Sequence, residues 1–348
     1  MRVLVTGGAG FIGSAVVDAL AGQGIDVVVL DALLPAAHQG MPGYLNPDAS
    51  YRWANCCDPA AVAEAVQNID VVSHQAAMVG MGVDFADTPA YARNNDLGTA
   101  VLLAGLAAAR FAGRLVLASS MVVYGEGRYR CPVDGLVQPL PRTPERLRER
   151  AFEPQCPRCG GDVEPEPVPE SAALDPRSVY AATKAHQEQL CACFARETGC
   201  ALTVLRYHNV YGPRMPARTQ YAGVAAIFRS ALASGQPARV FEDGGQRRDF
   251  VHVDDVARAN LLAAQDRSAG WHVCNVASGR PVSILEMARA LAAANGAGTP
   301  APVVTGEFRL GDVRHVFAST HEAETVLGFR AAVGPEEGMR RFATAELR

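Results

Sequence analysis

Residues 2–14 read R-V-L-V-T-G-G-A-G-F-I-G-S, an apolar strand that leads through a glycine turn into the start of a helix. The glycines at positions 7, 10 and 13 let a phosphate approach the backbone closely, and the helix N-terminus offers free N–H groups and a partial positive charge. A second apolar strand ends at Asp31, where a carboxylate can accept hydrogen bonds from the ribose diol of an adenosine. Because a 2′-phosphate would meet like charge there, the pattern predicts an NAD site rather than an NADP site.

The alternation of apolar strands and helical segments continues along the chain. Strands are predicted at residues 3–5, 25–30, 69–73, 114–119 and 201–207, and a short strand runs into a helix over 250–264. Helices are predicted at 11–21, 62–66, 97–111, 178–198, 224–234 and 281–294, the last with Ser283 as N-cap and Glu286 three residues on. Strands that alternate with helices indicate βαβ units, and hence an α/β fold built on a doubly wound parallel sheet.

The composition excludes several functional classes. The length of 348 residues fits two domains or one large α/β unit with an appended lobe. With 49% hydrophobic and 20% charged residues, the chain can form a sizeable core. A formal net charge of -4 argues against a nucleic-acid partner and against a polybasic membrane anchor. No apolar run reaches the roughly 18 residues of a membrane span. Met1 to Thr6 lead directly into the glycine turn without a signal region, so we expect a cytoplasmic protein.

Tyr180 and Lys184 are four residues apart in the sequence Y-A-A-T-K, so they share one face of a predicted helix. A tyrosine with an ordinary pKa of about 10 is a poor base at neutral pH, and a nearby ammonium group is expected to lower that pKa. Tyr180 could then remove a proton from a hydroxyl group while a hydride leaves the same carbon. Outside this context, the pair would be interpreted as a solvated helix face.

Taken in order, the motifs resemble the extended short-chain dehydrogenase/reductase family, specifically its NAD-dependent nucleotide-sugar epimerases and dehydratases. The matching stretches are T-G-G-A-G-F-I-G-S (6–14), N-D-L-G-T (95–99), S-S-M-V-V-Y-G (119–125), Y-A-A-T-K (180–184), R-Y-H-N-V-Y-G-P (206–213), R-D-F-V-H-V-D-D (248–255) and G-D-V-R (311–314). The resemblance covers most of the chain. It implies a Rossmann-type sheet with a smaller C-terminal substrate-binding lobe.

The resemblance also implies a role for each matching residue. Tyr180 is expected to be the catalytic base, with Lys184 on the nicotinamide ribose and Ser120 as the neighbouring catalytic hydroxyl. The residues expected to bind NAD are Gly7, Gly10, Phe11, Ile12, Gly13, Asp31 at the adenosine ribose, Asp58 at the adenine, Ala76, Ala77, Asn95, Ser119, Tyr180 and Lys184. The residues expected at the nucleotide diphosphate and its ribose are Asn209, Arg248, Arg309 and Asp312, because the arginine fork suits a pyrophosphate. For His208 and His252, substrate contact and packing both remain open.

Met121 departs from the family pattern, because the third position of the S-S-x motif is usually a Ser or Thr that hydrogen-bonds the reacting hydroxyl. Ser120 or another donor would then take that role, and Met121 itself would bind the substrate by packing against the sugar. Val122 and Val123 follow where 4,6-dehydratases carry a carboxylate pair, which disfavours dehydration. An epimerase needs a base, bound NAD and a roomy pocket, and the small Val316 is expected to border that pocket.

We therefore expect an NAD-dependent nucleotide-sugar 4-epimerase that acts through a transient 4-keto sugar. The stretch Y-G-E-G-R-Y-R-C-P (124–132), followed by C-P-R-C-G, resembles a bacterial subgroup described as dTDP-L-rhamnose 4-epimerases, which implies a dTDP-6-deoxyhexose substrate. The alternatives are a UDP-glucose or UDP-N-acetylglucosamine 4-epimerase, net oxidation or reduction of the sugar, and a non-catalytic NAD-binding sensor. The family usually dimerises through helices near 97–111 and 180–197, so a homodimer with a role in carbohydrate biosynthesis is expected.

Residues 126–170 form an insert between an NAD-binding core at 1–125 and the segment 171–348, which is expected to hold the rest of the core and the nucleotide-sugar lobe. The insert contains nine prolines and three of the nine cysteines, and we predict no hydrophobic core within it.

Four residues of the insert have the spacing of a metal site. Cys131 and Asp134 are followed by Cys156 and Cys159 in the pattern C-x₂-D…C-x₂-C, which predicts a tetrahedral structural zinc site. Zinc would then supply folding energy to the insert. The alternative is three reduced thiols in a flexible loop.

Overall fold

Strands and helices alternate along the chain in the computed structural model, which describes residues 1–35, 37–38, 40–80, 85–217 and 223–348. The strands are β1 (Arg2–Thr6), β2 (Asp26–Asp31), β3 (Ser50–Trp53), β4 (Val71–His74), β5 (Arg114–Ser120), β6 (Arg128–Cys131), β7 (Gly135–Val137), β8 (Glu164–Glu166), β9 (Ala201–Tyr207), β10 (Asn209–Tyr211), β11 (Arg239–Val240), β12 (Arg247–Arg248), β13 (Phe250–His252), β14 (Trp271–Val276), β15 (Val282–Ser283), β16 (Val303–Val304) and β17 (His315–Val316). The helices are α1 (Phe11–Ala21), α2 (Pro59–Ala65), α3 (Thr88–Tyr91), α4 (Gly98–Ala108), α5 (Pro144–Arg148), α6 (Val179–Thr198), α7 (Val224–Ala233), α8 (Val253–Gln265), α9 (Ile284–Ala294), α10 (His321–Leu327) and α11 (Pro335–Thr344). A π-helical turn (Ala92–Leu97) precedes α4, and 3₁₀ turns span Phe85–Asp87 and Met121–Tyr124.

A seven-stranded parallel sheet in the order β14-β9-β5-β4-β1-β2-β3 is the framework of the fold. The strand order reverses at β1, so a crevice lies at the carboxyl ends of β1 and β4, the usual place of a ligand in such sheets. The predicted doubly wound α/β fold is confirmed. The sequence pattern does not predict the edge strands β3 and β14, because polar residues such as His272 and Asn275 interrupt the apolar run in β14.

Helices cover both faces of this sheet, since its central strands are buried on both sides. Helices α1, α8 and α10 pack on one face, and α2, α4 and α6 pack on the other. Helix α4 ends earlier than predicted, because the chain turns at Arg110 with a left-handed φ of 51°. Within the described ranges, no helix is both long and apolar enough to cross a membrane.

A smaller C-terminal lobe has its own core, in which α7, α9 and α11 pack around Phe228, Leu291 and Phe342. The predicted cap of α9 is confirmed as a capping box. The Ser283 hydroxyl accepts a hydrogen bond from the Glu286 amide at 3.1 Å, and the Glu286 carboxylate accepts one from the Ser283 amide at 2.7 Å. In the same half of the chain, β12 pairs with both β15 and β17.

The insert folds into a small antiparallel sheet in the order β7-β6-β8. The prediction that it has no hydrophobic core is wrong, because five side chains of the insert form a buried cluster: Tyr129, Cys131, Val137, Cys156 and Val163. Two of the five are cysteines, which apolar patterning does not identify as core residues. The insert is therefore an ordered lobe in which the cysteines contribute directly to packing.

Gly7 and Gly13 bring the glycine turn into direct backbone contact with its surroundings. A Cβ atom at position 13 would lie 2.0 Å from the carbonyl oxygen of Gly7, and one at position 7 would lie 2.8 Å from the backbone of Ala76. Gly7 also has a left-handed φ of 70°. Gly13 therefore lets the start of α1 pack directly against the backbone of the turn.

We expect Gly13→Ala to destabilise the protein by about 2–3 kcal/mol, because the backbone must move to admit the methyl group. Urea unfolding followed by circular dichroism measures the change. Gly43→Ala is the matched control, since a Cβ at Gly43 meets nothing within 4 Å. Equal stability of the two variants would contradict the close contact.

Candidate active site

The N-terminus of α1 is open toward the crevice of the sheet. Its N-cap residue, Gly10, makes no side-chain capping bond, and the first turn of α1 carries no acidic residue. The free N–H groups and the positive end of the helix dipole therefore suit a phosphate. The residues present fit a pyrophosphate, because Gly7 and Gly13 keep Cβ atoms out of the closest part of the turn.

Asp31 joins the glycine turn to the end of β2. Its Oδ2 accepts a hydrogen bond from the amide of Ala9 at 2.9 Å, and its Oδ1 accepts one from the amide of Leu33 at 2.8 Å. Each oxygen keeps a lone pair for a ribose hydroxyl.

Asp58, expected at the adenine, is the N-cap of α2 and accepts from the amide of Ala60 at 2.9 Å. Asp58 therefore has a structural role whatever it contacts in a ligand.

Asn95 ties together two segments that border the crevice. Its Oδ1 accepts from the amide of Met78 at 2.7 Å, and its Nδ2 donates to the Met78 carbonyl at 3.0 Å and to Thr183 Oγ1 at 2.9 Å. Met78 directly follows Ala76 and Ala77 after β4, and Thr183 lies on α6. Asn95 thus fixes the loop predicted to line the cofactor against the helix that carries Tyr180 and Lys184.

Helix α6 brings Tyr180 to the carboxyl end of β5. The hydroxyl of Tyr180 lies near the side chain of Ser120, the last residue of β5, and the Tyr180 ring lies 6.2 Å from that of Tyr91. The sequence analysis expected Ser120 to be the hydroxyl next to Tyr180. Burial raises the pKa of Tyr180, and the contact with Ser120 only partly opposes that rise. The expected lowering of this pKa is therefore wrong in direction for the isolated chain, because desolvation outweighs the favourable contacts.

Lys184 lies one helical turn after Tyr180, and its Nζ donates a hydrogen bond to the carbonyl of Ala118 in β5 at 2.8 Å. Burial lowers the pKa of Lys184 from its ordinary value of 10.5 to about 8. Lys184 is the only lysine of the chain, whose Lys and Arg together number 32. Every other residue of this set is an arginine, so position 184 stands out as the one that keeps a lysine. This bias toward arginine is a signal that sequence reasoning missed.

A buried ion pair anchors α6 to the sheet. Glu188, one turn after Lys184, accepts hydrogen bonds from Arg206 Nε at 2.9 Å and from Arg206 Nη2 at 2.7 Å. The hydroxyl of Ser119 donates to the same carboxylate. The side chain of Ser119 therefore anchors α6, and its expected contact with the cofactor stays a prediction. Glu188 was missed because a lone carboxylate on a helix has no motif that marks it.

Met121 packs within the protein. It is 9% exposed and belongs to a cluster with Val123, Tyr124 and Ala185 that also contains Val316, itself 1% exposed. Val316 is therefore packed among neighbouring side chains, and its expected place at the border of a sugar pocket stays a prediction. Met121 offers at most its edge to a ligand, and this edge is apolar.

Arg248 supports the backbone of the G-D-V-R segment. Its guanidinium donates to the carbonyl oxygens of Val313 at 2.6 Å and Arg314 at 2.8 Å. These bonds position the guanidinium, and its expected contact with the nucleotide diphosphate stays a prediction. The positive charge of Arg248 nevertheless remains next to Asp312, where it opposes the rise in the Asp312 pKa that burial causes.

The other residues predicted at the nucleotide lie on neighbouring segments. Arg309 also counteracts the rise in the Asp312 pKa, and its guanidinium lies 5.1 Å from the centre of the Phe241 ring. Asn209 Oδ1 is buried and has no hydrogen-bond partner among the described residues. An unpartnered buried amide oxygen costs free energy, which a donor from a ligand would recover.

The two motif histidines have different surroundings. His252 Nδ1 accepts from the amide of Asp254 at 3.2 Å and so caps α8. His208 is 4% exposed, and burial lowers its pKa to about 3. Within the part of the chain that the structure describes, neither ring nitrogen of His208 has a hydrogen-bond partner. The cap thus accounts for Nδ1 of His252, while its Nε2 and both ring nitrogens of His208 keep hydrogen-bonding capacity for a ligand.

The four predicted metal ligands lie together in the insert. One ligand atom from each of Cys131, Asp134, Cys156 and Cys159 fits within a span of 4.8 Å. The Sγ atoms of Cys131 and Cys159 are 3.5 Å apart, and Cys156 Sγ is 3.1 Å from Asp134 Oδ2. The amide of Asp134 donates to Cys131 Sγ at 3.4 Å, so a turn closes around this sulfur.

Replacing Lys184 tests the cost of its burial. Below about pH 8 the folded protein buries a charge that the unfolded chain solvates, so Lys184→Met should raise the free energy of unfolding at pH 7 by about 2–3 kcal/mol. This gain should vanish as the pH rises through about 8 to 10.5, because unfolded Lys184 then also loses its proton.

Urea unfolding at several pH values measures the difference. With ¹³C-labelled lysine, the single lysine gives one NMR signal, whose titration reports the pKa of Lys184 directly. An NMR midpoint at the ordinary value would contradict the burial argument.

Comparison with known proteins agrees with the site. A model of the NAD dependent epimerase/dehydratase family matches residues 3–151 and 159–277. The chain is 32% identical to a dTDP-L-rhamnose 4-epimerase from Burkholderia thailandensis, over 99% of this chain and 94% of the relative.

Solved structures are similar over the same length. A UDP-glucose 4-epimerase from Thermotoga maritima, solved with UDP-glucose, has a TM-score of 0.80 and 31% identity, covering 99% of this chain and 97% of its own. The UDP-glucose 4-epimerase of Thermus thermophilus, solved with NAD, has a TM-score of 0.78 and 30% identity over 99% and 98%. With the open glycine turn and the Tyr180–Ser120 contact, these matches confirm the family predicted from the motifs: the chain is an NAD-dependent enzyme that belongs to the NAD dependent epimerase/dehydratase family.

Proposed function

We propose that the protein is a nucleotide-sugar 4-epimerase that passes through a 4-keto sugar. The observation that carries this proposal is the contact between the Tyr180 hydroxyl and Ser120, beside the buried amine of Lys184. These groups lie at the carboxyl end of β5, two strands from the glycine turn that follows β1. A phenol with a hydroxyl partner and an adjacent cation forms a proton-transfer group next to a dinucleotide site.

In this proposal, Tyr180 takes the proton of the sugar C4 hydroxyl, and Ser120 orients that hydroxyl. Burial raises the pKa of Tyr180, and in this proposal Lys184, one turn later on α6, supplies the positive charge that the phenol needs to act as a base. When bound, NAD would supply the redox chemistry, taking a hydride from C4 and returning it to the opposite face of the rotated sugar. Tyr180 then gives the proton back to the C4 oxygen. No net oxidation of the sugar results.

The turn after Ser120 supports epimerisation over dehydration. Loss of water from the sugar requires an additional acid beside the reacting carbon. Met121 and Val123 are buried apolar residues in this turn, and Val122 between them has no acidic group either. We therefore infer that the reaction ends with return of the hydride.

The apolar character of this region supports a 6-deoxy sugar. Met121 and Val316 are packed together, and the partly buried Ala172 and Val313 contact the same cluster. A methyl group at C6 would contact such a surface without losing hydrogen bonds, whereas a hydroxymethyl group would lose them. We infer a dTDP-6-deoxyhexose such as dTDP-L-rhamnose as the substrate, in line with the relative from Burkholderia thailandensis. UDP-glucose and UDP-N-acetylglucosamine are the alternatives, the first in line with the solved relatives.

The test is incubation of the enzyme with dTDP-L-rhamnose, UDP-glucose and UDP-N-acetylglucosamine, with NMR detection of the C4 epimer. We expect turnover of the dTDP-6-deoxyhexose without net change in NADH. Tyr180→Phe should lower kcat by about 10²–10⁴-fold, because the phenol oxygen carries the proton. Tyr91→Phe is the matched control, since its ring lies beside that of Tyr180 but its hydroxyl donates to the Gly80 carbonyl at 3.0 Å.

The outcomes separate the alternatives. Faster turnover of a UDP-sugar would overturn the proposed substrate but keep the reaction. A stoichiometric change in NADH would indicate net oxidation or reduction, and NAD binding without turnover of any sugar would indicate a sensor. Full activity of Tyr180→Phe would contradict the proposed base.

Three further proposals concern the oligomeric state, the location and the metabolic role of the enzyme. We infer a homodimer that forms through the outer faces of α4 and α6, where small residues such as Ala104 and Ala107 are exposed. We also infer a cytoplasmic location and a role in carbohydrate biosynthesis. The nine cysteines are all free thiols, which supports a reducing compartment.

For the cysteine cluster, defined as Cys131, Asp134, Cys156 and Cys159, we propose a structural zinc site. Tetrahedral zinc with Zn–S bonds of about 2.3 Å places its sulfur ligands about 3.8 Å apart, close to the 3.5 Å between Cys131 and Cys159. The clustering of three thiols and a carboxylate supports a metal, because four such groups repel one another when they are deprotonated without a cation.

Protein purified in the presence of zinc should contain about one Zn²⁺ per chain by elemental analysis. Cys159→Ser should lose most of this metal and unfold at a lower temperature, because the ion provides folding energy. Cys193→Ser is the control, since Cys193 is also exposed but lies on α6, outside the cluster. Equal zinc content in the two variants would contradict the site.

A further inference from the structure

The insert that contains the cysteine cluster makes direct contacts with the G-D-V-R segment. Arg142 Nη2 donates to the carbonyl of Asp312 at 2.7 Å, and Glu126 accepts a hydrogen bond from the amide of Arg314. Asp312 is one of the residues predicted at the nucleotide diphosphate. The insert is therefore bound to the backbone of the substrate lobe at the point where a nucleotide sugar is expected.

One of these contacts begins on the strand that ends in a metal ligand. Tyr129 and Cys131 are two residues apart on β6, and both belong to the core of the insert. The hydroxyl of Tyr129 accepts a hydrogen bond from the amide of His315 at 3.2 Å and donates one to Glu126 at 3.0 Å. A shift of Cys131 thus moves Tyr129 and the start of β17 with it.

A second contact begins three residues before another metal ligand. Glu153 precedes Cys156, and its carboxylate accepts from Arg314 Nε at 2.8 Å, from Arg314 Nη2 at 2.6 Å and from His315 Nε2 at 2.9 Å. Arg314 is 2% exposed and also pairs with Glu242 and Asp243. Because a buried arginine requires compensating carboxylates, the position of Glu153 constrains Arg314.

The segment held in this way is also bound by Arg248, which lies on β12. Strand β17 pairs with β12, and the Arg248 guanidinium donates to the carbonyls of Val313 and Arg314. Contacts therefore run from the cysteine cluster through Tyr129 and Glu153 to β17 and then to the charges around Asp312.

Without a metal or a covalent bridge, the insert is too small to hold the G-D-V-R segment firmly. Its strands have three or four residues, and its core has five side chains, two of which are cluster cysteines. A core of this size needs a metal or a covalent bridge to stay ordered.

We propose that Zn²⁺ in the cysteine cluster fixes the nucleotide-sugar site, with Tyr129 and Glu153 as the positioning residues that transmit its effect to β17. This inference rests on the proposed function for the identity of the ligand, a nucleoside diphosphate linked to a sugar. It adds that metal occupancy controls affinity for this ligand and leaves affinity for NAD unchanged, because the residues expected to bind the NAD pyrophosphate and adenosine ribose lie on the glycine turn after β1, at the start of α1 and at the end of β2, which take no part in the contacts described above.

The experiment uses the full-length enzyme loaded with zinc or stripped by a chelator, and isothermal titration calorimetry with dTDP, UDP and NAD. We expect removal of zinc to raise the Kd for the preferred nucleoside diphosphate roughly tenfold or more, with less than about a twofold change for NAD. In activity assays, KM for the nucleotide sugar should rise far more than kcat falls.

Glu153→Gln separates positioning from folding. This variant should keep its zinc and, like removal of zinc, should raise the Kd for the nucleotide. The reason is that a neutral amide at position 153 no longer pairs with the charge of Arg314. Glu145→Gln is the matched control in the insert, since Glu145 is exposed and pairs only with Arg148 among the ion pairs of the described residues. Glu145→Gln should bind dTDP, UDP and NAD as the unmodified protein does.

The results can contradict this inference independently of the proposed function. An enzyme that binds no zinc, or that binds nucleotide equally well with and without it, would contradict the proposal, as would a Glu153→Gln variant with unchanged nucleotide affinity. If nucleotide affinity follows zinc but no sugar is epimerised, the proposed function fails and this inference stands. If the stripped enzyme epimerises the sugar with an unchanged KM, the inference fails and the proposed function stands.

Discussion

The buried ion pair between Glu188 and Arg206 is the interaction on which the geometry of the site depends. It joins α6 to β9, and Ser119 adds a bond from β5 to the same carboxylate. Tyr180 and Lys184 lie on the preceding turns of this helix, so their distances to the end of β5 follow from this anchor. Removing one partner of such a buried pair costs about 3–5 kcal/mol, because the other charge stays desolvated. The same cost makes the orientation of α6 rigid.

Lys184 illustrates a conflict between stability and chemistry. Its burial lowers its pKa to about 8, so the folded state contains an ammonium group held close to its own titration point. Every other basic position of the Lys and Arg set is an arginine. A compact amine that hydrogen-bonds to Ala118 fits beneath the crevice, whereas a planar guanidinium requires more space and more partners. The chain therefore keeps a destabilising group at the position where proton chemistry is proposed.

The insert and the C-terminal half of the chain share one network of charges. Arg314 is surrounded by Glu153, Glu242 and Asp243, and Arg142 pairs with the same Glu242. These groups come from the insert and from two separate segments of the C-terminal half. Because each buried charge is compensated by partners on another segment, none of the segments can move alone without exposing or stranding a charge. This coupling gives the cysteine cluster a structural route to the substrate site.

Local pattern was sufficient for the parts of this protein that local physics controls. The glycine turn, the alternation of strands and helices, the Ser283 cap and the i, i+4 spacing of Tyr180 and Lys184 are all readable within a few residues, and the predicted fold follows from them. The direction of the Tyr180 pKa shift, the burial of Met121 against Val316 and the use of Arg248 on backbone carbonyls emerge only in the folded chain. Each of these depends on desolvation or on contacts between residues far apart in sequence, and neither is encoded in the spacing of a motif.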